Sequence, residues 1–242
     1  MGVPTILWRE FVFFRKSFWS TTFSNLVSPA LYLIAFGWGI GSGVKVGEEN
    51  YLTFIVPGII ALTTMTTSFE AVAFPLNIDK IYGKTLEEFI TAPITPWEFV
   101  WGKVTGGAFR GLYSALLIIL LAYVFSARIS MNVYFLLIVV LNSFVFSTLG
   151  FVVGLAVMSY EDVGKFNNFV ITPMAFLYGT FFPIEKLPYF FQKIILFLPL
   201  THAVLGLRNP VPMLQFFIHL LVLGAYLLIF GIIGVSIYKK IE

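Results

Sequence analysis

Six apolar stretches, each close to the length that crosses a bilayer, leave this chain few folds to adopt. A hydrocarbon core needs about 20 consecutive apolar residues in a helix. Backbone N–H and C=O groups at that depth must bond within the segment, which selects helices over irregular chain. The stretches cover residues 23–40, 51–74, 104–125, 133–158, 166–182 and 214–238. They predict an all-α polytopic membrane protein, one transmembrane domain over residues 1–242. Composition agrees: 11% of the residues are charged and 59% hydrophobic, where a soluble domain carries about a quarter charged. A net charge of +3, spread along the chain, is too small for a nucleic-acid footprint. There are no cysteines, so neither a disulfide nor a cysteine-ligated metal is available.

Residues 1–20 read differently from the spans. Thr5, Arg9, Lys16 and Ser20 fall on one helical stripe, and Trp8, Phe11, Phe14 and Phe18 cover much of the remainder. That is the pattern of an interfacial helix. Arg9, Glu10, Arg15 and Lys16 interrupt any secretory h-region. Residues 77–103 form the longest polar island, and within it 84–90 predicts a short amphipathic helix stopped by Pro93 and Pro96. Leu86, Phe89 and Ile90 share one side of it, while Lys84, Glu87, Glu88 and Thr91 carry the polar groups. With the N-terminus inside, nine Lys and Arg fall on the cytoplasmic side and five outside, so both termini are expected in the cytoplasm. The fifth stretch is short and ends at Pro183; residues 183–212, punctuated by Pro188 and Pro199, predict short re-entrant helices at the outer face.

Motifs of soluble chemistry are missing. No GxxxxGK[ST] occurs, and the glycine run at 37–43 (GWGIGSG) closes a span rather than joining a strand to a helix. GxxxG spacings at Gly37/Gly41, Gly102/Gly106, Gly107/Gly111 and Gly150/Gly154 predict close helix contacts. His202 and His219 have no carboxylate at ligand spacing, so packing or hydrogen bonding is expected of both and no metal site. Glu70 and Arg110 lie inside consecutive, antiparallel spans, where a charge calls for a partner. They are expected to form either a structural intramembrane pair or part of a proton relay. Thr63 to Ser68 place five hydroxyls in the second span, which either bond along and between helices or, as with Thr64 and Thr67, line a pathway. Tyr178, Phe181 and Phe182 are further pathway candidates, suited to greasy or amphipathic cargo.

Three stretches are similar to those of one known family. Residues 84–93 (KTLEEFITAP), residues 179–183 (GTFFP), and residues 198–204 (LPLTHAV) with Arg208 resemble the membrane subunit of an ABC exporter of the type-2 permease family, in its nodulation-factor and daunorubicin-type branch. The likeness runs over essentially the whole chain. It implies a non-catalytic permease in the cell inner or plasma membrane, working as a homodimer or a pseudo-symmetric heterodimer. Two separate cytoplasmic ATPase subunits would hold ATP and Mg, leaving this chain without a cofactor. Lys84, Thr85, Glu87, Glu88 and Thr91 would form the coupling helix, assisted by Glu161, Asp162 and the N-terminal helix. The cargo would be amphipathic, hydrophobic or lipid-linked, with a polysaccharide or lipid-linked glycan as the close alternative. A self-sufficient proton-coupled carrier would need inverted repeats and several buried carboxylates. No repeat is evident, and Glu70 is the single such carboxylate.

Overall fold

The computed structural model describes residues 2–39, 43, 45–46, 49–82, 85–127, 129–177, 179–209 and 214–241. Of the residues singled out above, Gly41, Lys84 and Tyr178 lie outside this set. In chain order the helices are α1 (Gly2–Lys16), α2 (Phe18–Tyr32), α3 (Tyr51–Ile81), α4 (Thr85–Thr91), α5 (Pro96–Val124) and α6 (Val133–Ala156). There follow α7 (Tyr160–Phe166), α8 (Thr172–Leu177), α9 (Tyr189–Leu196), α10 (Pro199–Arg208) and α11 (Leu214–Ile241). Lys45–Val46 and Glu49–Asn50 form a short antiparallel ladder before α3.

Helices α3, α5, α6 and α11 are each long and apolar enough to cross a membrane alone. The first and fifth expected spans are compound. α2 runs on through a π-helical stretch, Leu33–Gly39, and α7 joins α8 through another, Asn167–Ile171. At the usual rise these composites measure roughly 30 Å and 25 Å, near the thickness of a hydrocarbon core. The expected re-entrant segment is present as α9 and α10, bent 93° from one another. Legs of about 12 Å and 15 Å at a right angle reach only about 19 Å end to end, short of the ~30 Å a span requires. The pair therefore turns back.

α3 is the axis of the bundle, and α5 and α6 pack on it through glycine. A Cβ on Gly150 would stand 2.5 Å from the Phe69 carbonyl oxygen, and one on Gly154 2.8 Å from that of Ala73. Gly107 and Gly111 of α5 likewise admit Val72 and Ser68 of α3. Lipid offers no hydrophobic gain for helix association, so such backbone-close packing holds the bundle. The third pair, Gly102 and Gly106, receives α1. Ile6 and Glu10 fit against these glycines in turn, so α1 runs alongside α5 in the same direction and leaves Trp8, Phe11 and Phe13 exposed.

Both ends of the bundle are fastened by polar side chains. At the α1 end, Asn77 donates to the carbonyls of Gly154 and Val157, and Lys80 to those of Leu155 and Val157. These bonds satisfy the unpaired carbonyls at the C-terminus of α6, where a cation is also favoured. At the other end Arg208 donates to the carbonyls of Phe54, Gly179 and Thr180, its guanidinium 3.7 Å from the Phe54 ring. Gly179 takes φ +82°, and Gly58 of α3 lies so close to Thr180 that a Cβ there would stand 2.6 Å from its carbonyl oxygen. Residues 179–183 and Arg208 thus pin the re-entrant hairpin to α3. His202 and His219 meet at 2.9 Å through their Nδ1 atoms, joining α10 to α11. Since His202 Nε2 faces the Leu196 carbonyl at 2.8 Å and must donate to it, His219 is the donor between the rings.

Candidate functional site

Two places concentrate the polar groups singled out in the sequence: the end of the bundle that carries α4, and a groove along its side.

α4 is a seven-residue helix seated on apolar side chains. Leu86 is 4% exposed and shares a cluster with Ile6, Leu76, Phe99 and Tyr238, so α1, α3, α5 and α11 all meet beneath it. Phe89 lies against Phe99, whose ring stacks on Tyr238 at 4.6 Å. Glu87 and Glu88 point the other way and are exposed. Thr91 is exposed too, but its hydroxyl bonds back to the Glu87 and Glu88 carbonyls and closes the helix end. Thr85 is half-buried at the first position. The chain then turns into α5 through a capping box in which Thr95 and Glu98 satisfy each other's backbone N–H.

Under α4 runs a chain of alternating charge that the sequence did not reveal. Lys103 Nζ donates to Glu10 at 2.8 Å and to Asp79 at 3.3 Å. Arg110 donates to the second oxygen of Glu10 at 3.2 Å, and Arg9 to Asp79 at 3.4 Å. The Lys103 side chain is only 5% exposed. Arg9 and Lys103 also flank the Phe89 ring, at 5.0 and 5.8 Å from its centre, so α4 rests directly on these cations. Beside this end, α7 begins at Ser159, which caps the N–H of Asp162. Lys165 donates to Asp162 at 2.8 Å. Glu161 next to it is exposed.

The groove lies between α2, α3 and α8. It encloses about 290 Å³ and is lined by Ser24, Asn25, Thr63, Thr67, Glu70 and Thr172 among others. Glu70 accepts from Asn167 at 2.9 Å. Thr67 reaches across to Ser114 at 3.3 Å, and Asn25 presents an amide nitrogen with no partner among the described residues. Hydroxyls, amides and a carboxylate thus share one face of otherwise apolar helices.

Three expectations are corrected by this geometry. Glu70 and Arg110 do not pair: Arg110 turns to Glu10 of α1, and Glu70 turns to Asn167 on the opposite side of α3. Thr64 does not line the groove. It is fully buried, its hydroxyl bonded to Ile60 and its backbone pressed against Gly111. Phe181 is also buried, packed on Tyr32, Phe36 and Phe176 at the groove's end rather than within it. Phe182 is half-buried in the same core. Among the described pathway candidates Thr67 alone reaches the groove. A double-mutant cycle checks the new pairing. Glu70→Gln and Arg110→Met should add within about 0.5 kcal/mol, whereas Glu10→Gln and Arg110→Met should couple by roughly 1–3 kcal/mol in thermal unfolding of the purified protein.

A family model described as ABC-2 type transporter matches residues 2–211. The chain belongs to the ABC-2 type transporter family. It is 28% identical over 227 residues to the inner membrane transport permease YadH of Escherichia coli K12, covering 90% of this chain and 88% of that one. It is 28% identical to nodulation protein J of Rhizobium leguminosarum bv. viciae over 262 residues, covering 99% and 98%. Nodulation protein J of Neorhizobium galegae is 26% identical over 239 residues, covering 96% and 90%. This ABC-2 chain is therefore a multi-pass membrane permease with a role in transport.

Proposed function

We propose that the chain is the non-catalytic membrane subunit of an ATP-driven exporter, moving an amphipathic or lipid-linked molecule outward across an inner membrane. The observation that carries this reading is α4. A short helix presents two carboxylates outward while its buried face packs on α3 and, through Phe89, on α1 and α5, with Tyr238 of α11 stacked behind Phe99. Force applied there reaches most of the bundle at once. Two cytoplasmic ATPase subunits would dock on α4, with Glu161 of α7 alongside, and hold the ATP and Mg. Their closure would tilt the permease between two states by binding one better than the other. The α1, α4 and α7 end would then face the cytoplasm, as the lysine and arginine distribution favours.

The groove gives the cargo route. Glu70, Asn25 and the threonines offer hydrogen bonds to a polar head, and Tyr32 and Phe176 take its apolar part. Polar groups on a lipid-depth surface call for a cover, and a second permease copy facing this side would enclose the path. A glycan head on a lipid tail fits such a lining, as does a small amphipathic drug. Thr67→Trp should fill the groove. Export of a fluorescent lipid-linked cargo from proteoliposomes should fall at least tenfold while the ATPase subunits still co-purify. Unchanged export would place the route elsewhere.

A further inference from the structure

A crevice of about 220 Å³ opens between α1 and α5, lined by Leu7, Phe11, Phe14 and Phe109, with Glu10 and Arg110 supplying its charge. Phe11 and Phe109 are each at least half exposed at its mouth, and Phe109 continues along α5 into the exposed residues Leu116, Leu120 and Tyr123. That is the face of α5 turned away from the bundle. Arg110 precedes the end of α5 at Val124 by a rise of about 20 Å out of a ~30 Å hydrocarbon core, so the apolar mouth of the crevice lies at acyl-chain depth while the long Arg110 side chain is within reach of the headgroups at the α1 end. Pockets for whole ligands run about 300–1,000 Å³. This one holds a length of a single alkyl chain.

The charge beside it does not balance. Arg9, Lys103 and Arg110 contribute three cations, Glu10 and Asp79 two carboxylates, and these five side chains form one connected network. The surplus is formal, since the Arg9 side chain is 40% exposed; at Arg110, only 11% exposed, donors left unpaired at low dielectric are costly unless an anion meets them. Among the described residues Arg110 donates one hydrogen bond, to Glu10, and its guanidinium otherwise stands over the Phe13 ring at 5.4 Å. A guanidinium has five N–H donors in a fork that matches phosphate.

We propose that this crevice binds an anionic bilayer lipid, one acyl chain held between Phe11 and Phe109 and the headgroup phosphate on Arg110. A zwitterionic lipid would leave the network's surplus charge unmet. Inorganic phosphate would satisfy the charge but has no apolar body to fill the crevice. The site shares no lining residue with the groove, and its occupancy does not depend on any cargo.

The test uses the full-length chain, purified in its assembled form in mild detergent, stripped of lipid, and offered equimolar phosphatidylglycerol and phosphatidylcholine in mixed micelles. Lipid retained is read by native mass spectrometry. Wild type should retain phosphatidylglycerol in about tenfold preference, the scale of one good charge-assisted contact. Arg110→Gln should bring the ratio close to one, while Arg110→Lys should keep a preference, which separates loss of charge from loss of fold. Thr105→Phe, narrowing the crevice without touching Arg110, should reduce retention of phosphatidylglycerol. Equal retention of the two lipids by wild type would overturn the proposal. So would a preference that survives Arg110→Gln, or displacement of the lipid by a large molar excess of inorganic phosphate.

Discussion

Changing Glu87 and Glu88 together to Lys should abolish cargo-stimulated ATP hydrolysis by the assembled transporter. Both side chains are exposed on the outward face of α4, and none of the packing that seats this helix passes through them. Leu86 and Phe89 keep their apolar seat. The change therefore costs the fold little, of the order of 0.5 kcal/mol for exposed positions, with a few tenths more from cations in a helix's first turn. An ATPase surface that meets two carboxylates would instead face two cations, and like charge across a docking surface costs several kcal/mol. Stimulated hydrolysis in proteoliposomes should fall to the unstimulated rate, and co-purification of the ATPase should weaken in parallel. Glu87→Gln with Glu88→Gln, which removes charge without reversing it, should give an intermediate loss. Full stimulation in the reversed variant would show that α4 is not where the motor engages.

The second large effect is at Lys103. Its ammonium is the only described cation shared by Glu10 and Asp79, and its side chain is almost wholly buried. Lys103→Met keeps the apolar stem and removes the charge, leaving two carboxylates each with a single, longer ion pair. Breaking a buried ion pair from one side costs about 3–5 kcal/mol. For a chain of this size that lowers the unfolding midpoint by roughly 10 °C. Tryptophan fluorescence in detergent measures it, with Lys193→Met on the exposed face of α9 as the control expected to change little. A fall no larger than the control's would mean that water reaches the network. Phe89 rests on the same ammonium, so the variant should also loosen α4 and lower coupling at temperatures where the protein remains folded.

The long elements were legible in the sequence because a bilayer demands length and apolarity, and both are local properties. Helices α3 and α6 begin at the expected residues, Tyr51 and Val133. Their far ends reflect side chains met in three dimensions. α5 starts at Pro96 rather than Val104 because Thr95 and Glu98 cap it. The fifth stretch is helical over 160–177 rather than 166–182, its start set by the Ser159 cap. α4 spans Thr85–Thr91 where 84–90 was expected, since the Thr91 hydroxyl extends its last turn.

Partnerships were harder to read. Arg110 looked closest to Glu70 because their spans are neighbours in the chain, and nothing local marks Glu10, a hundred residues away, as the true acceptor. Glu10 reads in sequence as one more polar residue of a helix rich in aromatics. The signal that could have found it is Gly106: a gap on α5 one turn before Arg110, opposite a helix with a single acid. Thr64 and Thr67 are neighbours one turn apart on α3, and what separates them is α5, whose Gly111 packs against Thr64 while Thr67 reaches the groove.

The glycine contacts that bind α5 and α6 to α3 have an evolutionary consequence. They fix the load-bearing frame through backbone, at positions where almost any side chain is too large. Much of the groove lining comes instead from α2 and α8, which are joined to the frame through π-helical stretches and carry little of that close packing. If cargo takes the proposed route, substitutions on those two helices would re-tailor what the groove accepts while the frame keeps its geometry. Cargo preference would then shift one side chain at a time, at little cost to stability.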